Sequence, residues 1–415
     1  MDNLFLLPQP RKLKRRAGVL AIPHGVDFAA ADGLEASFDP LVRAARRALG
    51  MRRPRTGAPL ATLIRSDRPL LTFELKAPGF RTAGAYRLIV NQREIRAQAG
   101  DAAGLWNAVQ TLAQLARVRS GAIPCAEIED WPDLPIRGVL LDVSRDKVPK
   151  LHTLYELVDW LSGMKINQLQ LYTEHTFAYR RHRTVWTDAS PMTPADIQAL
   201  DQYCADRFVD LVPNQNCFGH MERWLRHDRY APLAEATEPW RDPWGRIREQ
   251  PTTLNPLDPR SFQLVAGLLD DLLPNFRSGL VNVNCDEPFE LGQGRSAAAC
   301  GRRGLAAVYL DFLLKLNRHV RRRKRKMMFW ADVVQAHPEV IAKLPADAIA
   351  LEWGYEADHP FDQRCARLAR ARRPFYVCPG TSSWCSFSGR TDNALDNLRA
   401  AAQAGIRHGA AGFLI

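Results

Sequence analysis

No stretch of this chain approaches the roughly 20 consecutive apolar residues of a membrane-spanning helix, so no transmembrane segment is expected. The apolar run Leu4 to Leu7 is cut off by Pro8, and its basic residues follow it instead of preceding it, unlike a secretory signal. A cytoplasmic location is the expectation. None of the eight cysteines stands in a CxxC pair or in a Cys/His array with zinc spacing, so no metal site is expected. Cys217, Cys285 and Cys378 fall within or beside apolar segments and read as small core residues with free thiols. Low-complexity tracts are missing as well, and 46% hydrophobic with 25% charged residues leaves material for a normal core.

What is present in excess is positive charge, a formal +12. Much of it lies in two clusters, Arg11 to Arg16 and Arg321 to Lys326. The second follows an amphipathic segment, Ala306 to Val320, and is placed in a last helical turn, where cations complement the helix dipole. Aromatic residues do not interleave with either cluster, as a groove for single-stranded nucleic acid would need. Solvated basic faces are expected, with neither a nucleic-acid nor a membrane partner.

Two rhythms divide the chain. Residues 1–130 mix short strand-like runs (Val19 to Ile22, Ala61 to Ile64, Leu71 to Leu75, Tyr86 to Val90, Glu94 to Ala97) with helical patterns at Asp39 to Leu49 and Ala103 to Arg117. This is the pattern of a small α+β domain, with the proline- and acid-rich Pro124 to Pro135 as linker. From 131 to 415 short apolar strands alternate with helices, which predicts a parallel sheet covered on both faces. The strands are expected at Gly138 to Val143, Gln168 to Tyr172, Val209 to Val212, Leu280 to Cys285, Met327 to Ala331, Ile349 to Trp353, Phe375 to Cys378 and Gly412 to Ile415. Helical patterns at His152 to Met164, Pro194 to Ala205, Ser261 to Leu273 and Thr391 to Ala404 separate them. The fold class is therefore α/β, a (β/α)8 TIM barrel ending in strand eight and lacking the eighth helix. No glycine-rich phosphate loop follows the first strand, which weakens a nucleotide-binding reading.

In such a barrel the loops at the C-terminal ends of the strands build the active site. Carboxylates and tryptophans gather at those ends: Asp142, Glu174, Asp286, Glu287, Asp332, Trp330, Trp353 and Trp384. Sugar sites are made this way, with indoles against pyranose faces and carboxylates and arginine on hydroxyls. Asp286 and Glu287 are the centre of the argument. Glycoside hydrolysis needs an acid for the leaving oxygen and a second group to stabilise an oxocarbenium-like transition state. Adjacent carboxylates cannot flank a bond from opposite sides. They fit a substrate-assisted variant, in which the sugar's own 2-acetamido oxygen attacks, and their proximity raises the pKa of one of them toward a useful acid.

The segments Leu6 to Leu13, Arg137 to Asp142, Phe218 to Glu222, and Cys285 to Glu287 with Leu291-Gly292 resemble family 20 β-N-acetylhexosaminidases, most of all the hexosaminidase D-like branch. The resemblance extends in order over nearly the whole chain, including the small domain before the barrel. It implies an exo-acting glycoside hydrolase without cofactor, removing terminal GlcNAc or GalNAc with retention. By the same resemblance Asp286 holds the acetamide nitrogen and Glu287 is the acid/base. Arg137 binds the 3- and 4-hydroxyls, and His220 with Glu174 forms a supporting polar pair. Trp330 and Trp353 line the acetamide pocket beside Asp332, and Trp384 lies on the loop after strand seven. Each has a structural alternative: core packing for the tryptophans, an ion pair for Arg137, a loop cap for His220. The family carries a tryptophan and a carboxylate just after strand eight, residues that this sequence does not reach, so a catalytically weak or inactive sugar-binding relative is the alternative. The apolar side left without an eighth helix would favour a homodimer.

Overall fold

The structure, a computed structural model, describes residues 4–22, 26–30, 35–49, 69–118 and 121–415. The strand expected at Ala61 to Ile64 lies outside these residues. The chain divides into two compact units, the first made of Met1–Pro135 with Glu156–Asn167 and Asp206–Val209. Its sheet contains β1 (Lys12–Ala21), β2 (Asp27–Ala30), β3 (Leu70–Leu75), β4 (Tyr86–Val90), β5 (Glu94–Ala99) and β6 (Ala122–Asp130), in the order β1-β6-β4-β5-β3-β2. Between β4 and β5 the chain reverses at Asn91, whose Oδ1 accepts the amides of Arg93 and Glu94, an Asx-type turn. The helix Ala102–Val118 buries Leu105, Val109 and Leu112 at helical spacing, in one core with Leu71, Phe73, Leu88 and Ile95 of the strands.

Two expectations change here. The segment from Pro124 is no linker, because β6 runs through it and pairs with both β1 and β4. Ile123, Cys125, Ile128 and Asp130 are buried, while Glu127 and Glu129 are partly exposed. The cluster Arg11 to Arg16 lies on and beside β1, the antiparallel neighbour of that acidic strand. Lys12 Nζ pairs with Glu129 at 2.9 Å and Arg16 Nη2 with Glu127 at 2.7 Å. Such exposed cross-strand pairs contribute about 0.2–1 kcal/mol each. The cluster is thus matched by acids of its own sheet.

The second unit holds the barrel strands β7 (Ile136–Asp142), β8 (Gln168–Tyr172) and β9 (Asp210–Val212), then a hairpin of β10 (Trp240–Arg241) and β11 (Ile247–Arg248). The strands β12 (Leu280–Asn282), β13 (Lys326–Trp330), β14 (Ile349–Trp353), β15 (Phe375–Cys378) and β16 (Gly412–Leu414) complete it. Eight are parallel, in the order β12-β13-β14-β15-β16-β7-β8-β9. Backbone bonds of Gln215 and Asn282 join the two ends at the β9–β12 seam, Gln215 N donating to Asn282 O at 3.0 Å. The interior row contains Val212, Met328, Leu351, Tyr376 and Leu414. This is the barrel that the strand–helix alternation predicts.

Element boundaries shift by one to four residues. Helices span Leu151–Gly163, Pro194–Ala205, Pro259–Leu272 and Thr391–His408. The third starts where Asp258 caps the amide of Arg260 and Pro259 takes the first turn, two signals of a helix N-terminus. The strand expected at Leu280 to Cys285 stops at Asn282, because Asn284 and Cys285 adopt φ of 57° and 65°. Of the second basic cluster only Arg321 and Arg322 belong to the last turn of Leu305–Arg322, while Lys326 opens β13. Among the described residues no helix is long and apolar enough to cross a membrane.

Candidate active site

The departure of the chain after β12 builds the site. Asn284, Cys285 and Glu287 all have positive φ, as does His220 on the loop after β9. Left-handed backbone at non-glycine residues costs about 1 kcal/mol or more each, and it is tolerated where surrounding bonds over-determine it. Here they do. Trp330 donates its amide to Asn284 O at 2.9 Å and its indole N–H to Asn284 Oδ1 at 2.7 Å. Tyr309 donates its hydroxyl to Cys285 O at 3.0 Å, and Asp332 Oδ2 accepts the Glu287 amide at 3.0 Å. The loop bearing His220 presses on the same turn: a Cβ on Gly219 would lie 2.3 Å from Asp286 O, so only glycine fits there.

These constraints bring His220 between the carboxylates. Its Nε2 lies 3.2 Å from Asp286 Oδ2 and 3.4 Å from Glu287 Oε2, and its Nδ1 lies 3.9 Å from Glu174 Oε1. Burial alone would push the imidazole pKa down, but Asp286, Glu287 and Glu174 together raise it well above the usual value. His220 is therefore a cation among three acids. The donor atoms of His220, Asp286 and Glu287 all lie within 4.8 Å of one another, close enough to share a metal ion. Glu174 also accepts from Tyr172 OH at 3.2 Å, and burial raises its carboxyl pKa.

The pair is graded in depth. The Asp286 side chain is 13% exposed and that of Glu287 is 27% exposed, so Glu287 is the one nearer solvent. Asp286 Oδ1 is buried without a hydrogen-bond partner, and so is Asp332 Oδ1. Enclosure first, then the charges of Asp286 and Glu287, push the Asp332 carboxyl up to about 8. Asp332 thus joins the site as a neutral acid at neutral pH, a role that adjacency in sequence did not suggest.

Below the carboxylates the barrel interior is wired by amides. Gln170 Oε1 accepts from Asn214 and Asn282 at 3.2 and 3.0 Å, and Asn214 Oδ1 accepts from Asn284 at 2.7 Å. This uncharged ladder ends at Trp330 through Asn284. A buried network with its partners in place is rigid, and this one supports the strained turn that carries the acids.

The aromatic residues stand on the other side. Trp353 is half-buried, its ring 5.1 Å from Tyr355, and its indole nitrogen is buried without a partner. Tyr355 meets Trp384 edge-on at 4.9 Å. Burial and then the charge of Asp286 raise the Tyr355 pKa, which puts its hydroxyl in the field of the carboxylates. Tyr355 was missed from sequence, although it stands two residues beyond Trp353. Trp384 is 63% exposed. Glu352, at the end of β14, is bound instead by His359 at 3.0 Å and Arg364 at 3.4 Å, a structural pairing.

Arg137 is the candidate that the structure does not bring to this group. It pairs in register with Phe413, whereas Ile136 and Leu140 belong to the interior row and Gly138 faces Leu414 there. Strand alternation points Arg137 outward. The arginine beside the acids is Arg145, which pairs with Asp142 and lies 4.8 Å over the Tyr172 ring.

Comparison with known proteins decides the family. Residues 3–131 match the model of glycosyl hydrolase family 20, domain 2, and residues 134–369 match the family's catalytic domain. The chain belongs to glycosyl hydrolase family 20. Among its relatives, a beta-hexosaminidase of Akkermansia muciniphila is 27% identical over 229 residues, 50% of this chain and 46% of that protein. Hexosaminidase D of Bos taurus is 25% identical over 234 residues, 54% of this chain and 64% of the relative. The family 20 fold recurs in the exo beta-N-acetylglucosaminidase of Vibrio harveyi, with a TM-score of 0.73 at 17% identity over 91% of this chain and 60% of that one. A beta-N-acetylhexosaminidase of Bacteroides fragilis gives 0.71 at 20% identity over 92% and 76%. The chain thus matches about half to two thirds of the length of these curated relatives.

Proposed function

We propose that this family 20 chain is an exo-acting β-N-acetylhexosaminidase that removes terminal GlcNAc or GalNAc from β-glycosides with retention. One observation carries the proposal. The buried Asp286 Oδ1 has no partner, while its neighbour Glu287 reaches toward solvent and a histidinium touches both. A buried acceptor of that kind fits the N–H of a 2-acetamido group. With its nitrogen held by Asp286, the acetamide carbonyl oxygen is aimed at C1.

The chemistry then divides into two steps. Glu287 gives its proton to the glycosidic oxygen as the acetamide oxygen bonds to C1, and the C1–O bond breaks to release the alcohol. Asp286 stabilises the positive charge of the resulting oxazolinium ion. Glu287, now a carboxylate, takes a proton from the water that attacks C1, and the acetamide is restored. His220, charged, touches both Asp286 and Glu287 and fixes their relative position. Trp353 offers an unused buried N–H to the sugar. Cys217, Cys285 and Cys378 are buried free thiols, which supports a reducing, cytoplasmic setting within the same proposal.

The test is hydrolysis of the 4-nitrophenyl N-acetyl-β-hexosaminides, gluco and galacto, by the chain and by Glu287→Gln, with the anomer of the first-formed product read by NMR. Turnover with retention that collapses in the variant supports the assignment and identifies the preferred sugar. A folded chain that binds N-acetylhexosamine without turnover would favour a sugar-binding relative instead.

A further inference from the structure

A general acid donates its proton to the leaving oxygen, so the leaving group has to sit beyond Glu287, against whatever the acid's own loop presents. The next residues of that loop turn at once: Phe289 N bonds Glu287 O at 2.7 Å. Phe289 then meets Trp244 edge-on, with ring centroids 5.6 Å apart. Trp244 belongs to the hairpin turn between β10 and β11, and it is 67% exposed.

The hairpin holds this indole in place. Asp242 Oδ1 accepts the amides of Trp244 at 3.0 Å and Arg246 at 2.8 Å, and Gly245 takes the φ of 83° that the turn requires. At its base Trp240 is buried and donates its indole N–H to Gln250 O at 3.1 Å. Gln293, on the acid's loop, ties the two segments together, donating to Arg241 O at 3.2 Å and to Phe289 O at 2.7 Å. Folding does not require a large indole on a water-exposed turn, and rigid presentation of one costs apolar exposure. Indoles so placed offer a flat face to a sugar ring at little entropy cost.

We infer that Trp244, backed by Phe289, is the platform for the first sugar of the leaving group, so that the enzyme prefers oligosaccharide substrates over glycosides of small alcohols. This rests on the function proposed above, and it adds an aglycone subsite and a substrate class to it.

The experiment compares the full chain with Trp244→Ala and Trp244→Phe on methyl N-acetyl-β-glucosaminide and on N,N′-diacetylchitobiose. Trp244→Ala is expected to lower kcat/KM on the disaccharide about tenfold, chiefly through KM, and on the methyl glycoside by less than about twofold. Trp244→Phe should recover most of the loss. Equal losses on the two substrates, or no loss on the disaccharide, would overturn the subsite. Should the wild-type chain turn over neither substrate, the proposed function fails, and calorimetry on Glu287→Gln then decides the subsite separately. Chitobiose is expected to bind about tenfold tighter than N-acetylglucosamine, with the advantage lost when Trp244→Ala is added. Equal affinity for both sugars with Trp244 present would overturn it.

Discussion

The two sides of the barrel mouth are held by different physics. On the side of β8, β9, β12 and β13 the turns carrying His220 and Glu287 are left-handed and fixed by backbone and side-chain hydrogen bonds, with a cation among the acids. On the side of β14 and β15, Trp353, Tyr355 and Trp384 are related by ring contacts, and Trp384 is largely in water. The first arrangement suits groups whose charge and proton must be placed to a fraction of an ångström. The second suits surfaces that close on a neutral sugar and tolerate small shifts. The carboxylate side has a further brace. The buried Glu290 accepts from Thr252 N and Oγ1 and from Thr253 N, while Thr252 O accepts Met221 N beside His220. One carboxylate thus joins the loop of the acid to the loop of the histidine.

Substitutions at four positions sharpen that contrast, in falling order of effect. Glu287→Gln should lower kcat by about 10²–10⁴ on glycosides of poor leaving groups, and less on 4-nitrophenyl glycosides. An equal loss on both would remove the acid role. His220→Gln removes the ring that touches both Asp286 and Glu287, and misplacing the pair should lower kcat by roughly 10²-fold. An unchanged kcat would refute the positioning role.

Glu290→Ala leaves one buried and two part-buried donors unpaired and should cost about 2 kcal/mol of stability in denaturant unfolding. The same residue predicts a pH dependence. Burial raises its carboxyl to about 6, against an ordinary value of 4.5. The folded state therefore binds the proton more tightly than the unfolded state. Stability from this group is fully present below about pH 4.5 and is lost as pH rises through about 6, by about 2 kcal/mol in all. Glu290→Gln should flatten that slope whatever its absolute stability, and an unchanged slope would assign it elsewhere. Trp384→Ala, on the ring-held side, should raise KM a few-fold, roughly fivefold, with stability altered by less than about 0.5 kcal/mol. A large stability loss there would make the two sides alike.

The site was legible in proportion to how local its signals are. Asp286 and Glu287 close an apolar run, Leu280 to Cys285, and Trp330 and Trp353 end strands of their own, so their place on the rim needed only the strand–helix rhythm. Arg137 shows the limit of that reasoning. Its neighbourhood is a strand, but which face it occupies depends on register with Phe413, a partner at the far end of the chain. Tyr355 and Glu290 lie beyond strand ends, where no period marks a direction. Trp244 sits in a turn that reads as solvent-exposed loop, and only contact with Phe289 gives it a role. The acidic segment near Pro124 misled because proline and glutamate suggest a linker, while its pairing with β1 and β4 made it a strand.

By itself, then, the sequence determined the α/β rhythm, the barrel, and the chemical types gathered at its rim, because hydrophobic periodicity and adjacency are properties of a few consecutive residues. Only the tertiary structure decided that His220 stands charged between both acids and that Asp332 holds its proton near neutral pH. It also decided that an indole from a distant hairpin backs the acid's loop. Those outcomes depend on burial and on loops from different strands meeting in space, and in a low-dielectric interior the partners that meet determine which groups carry charge.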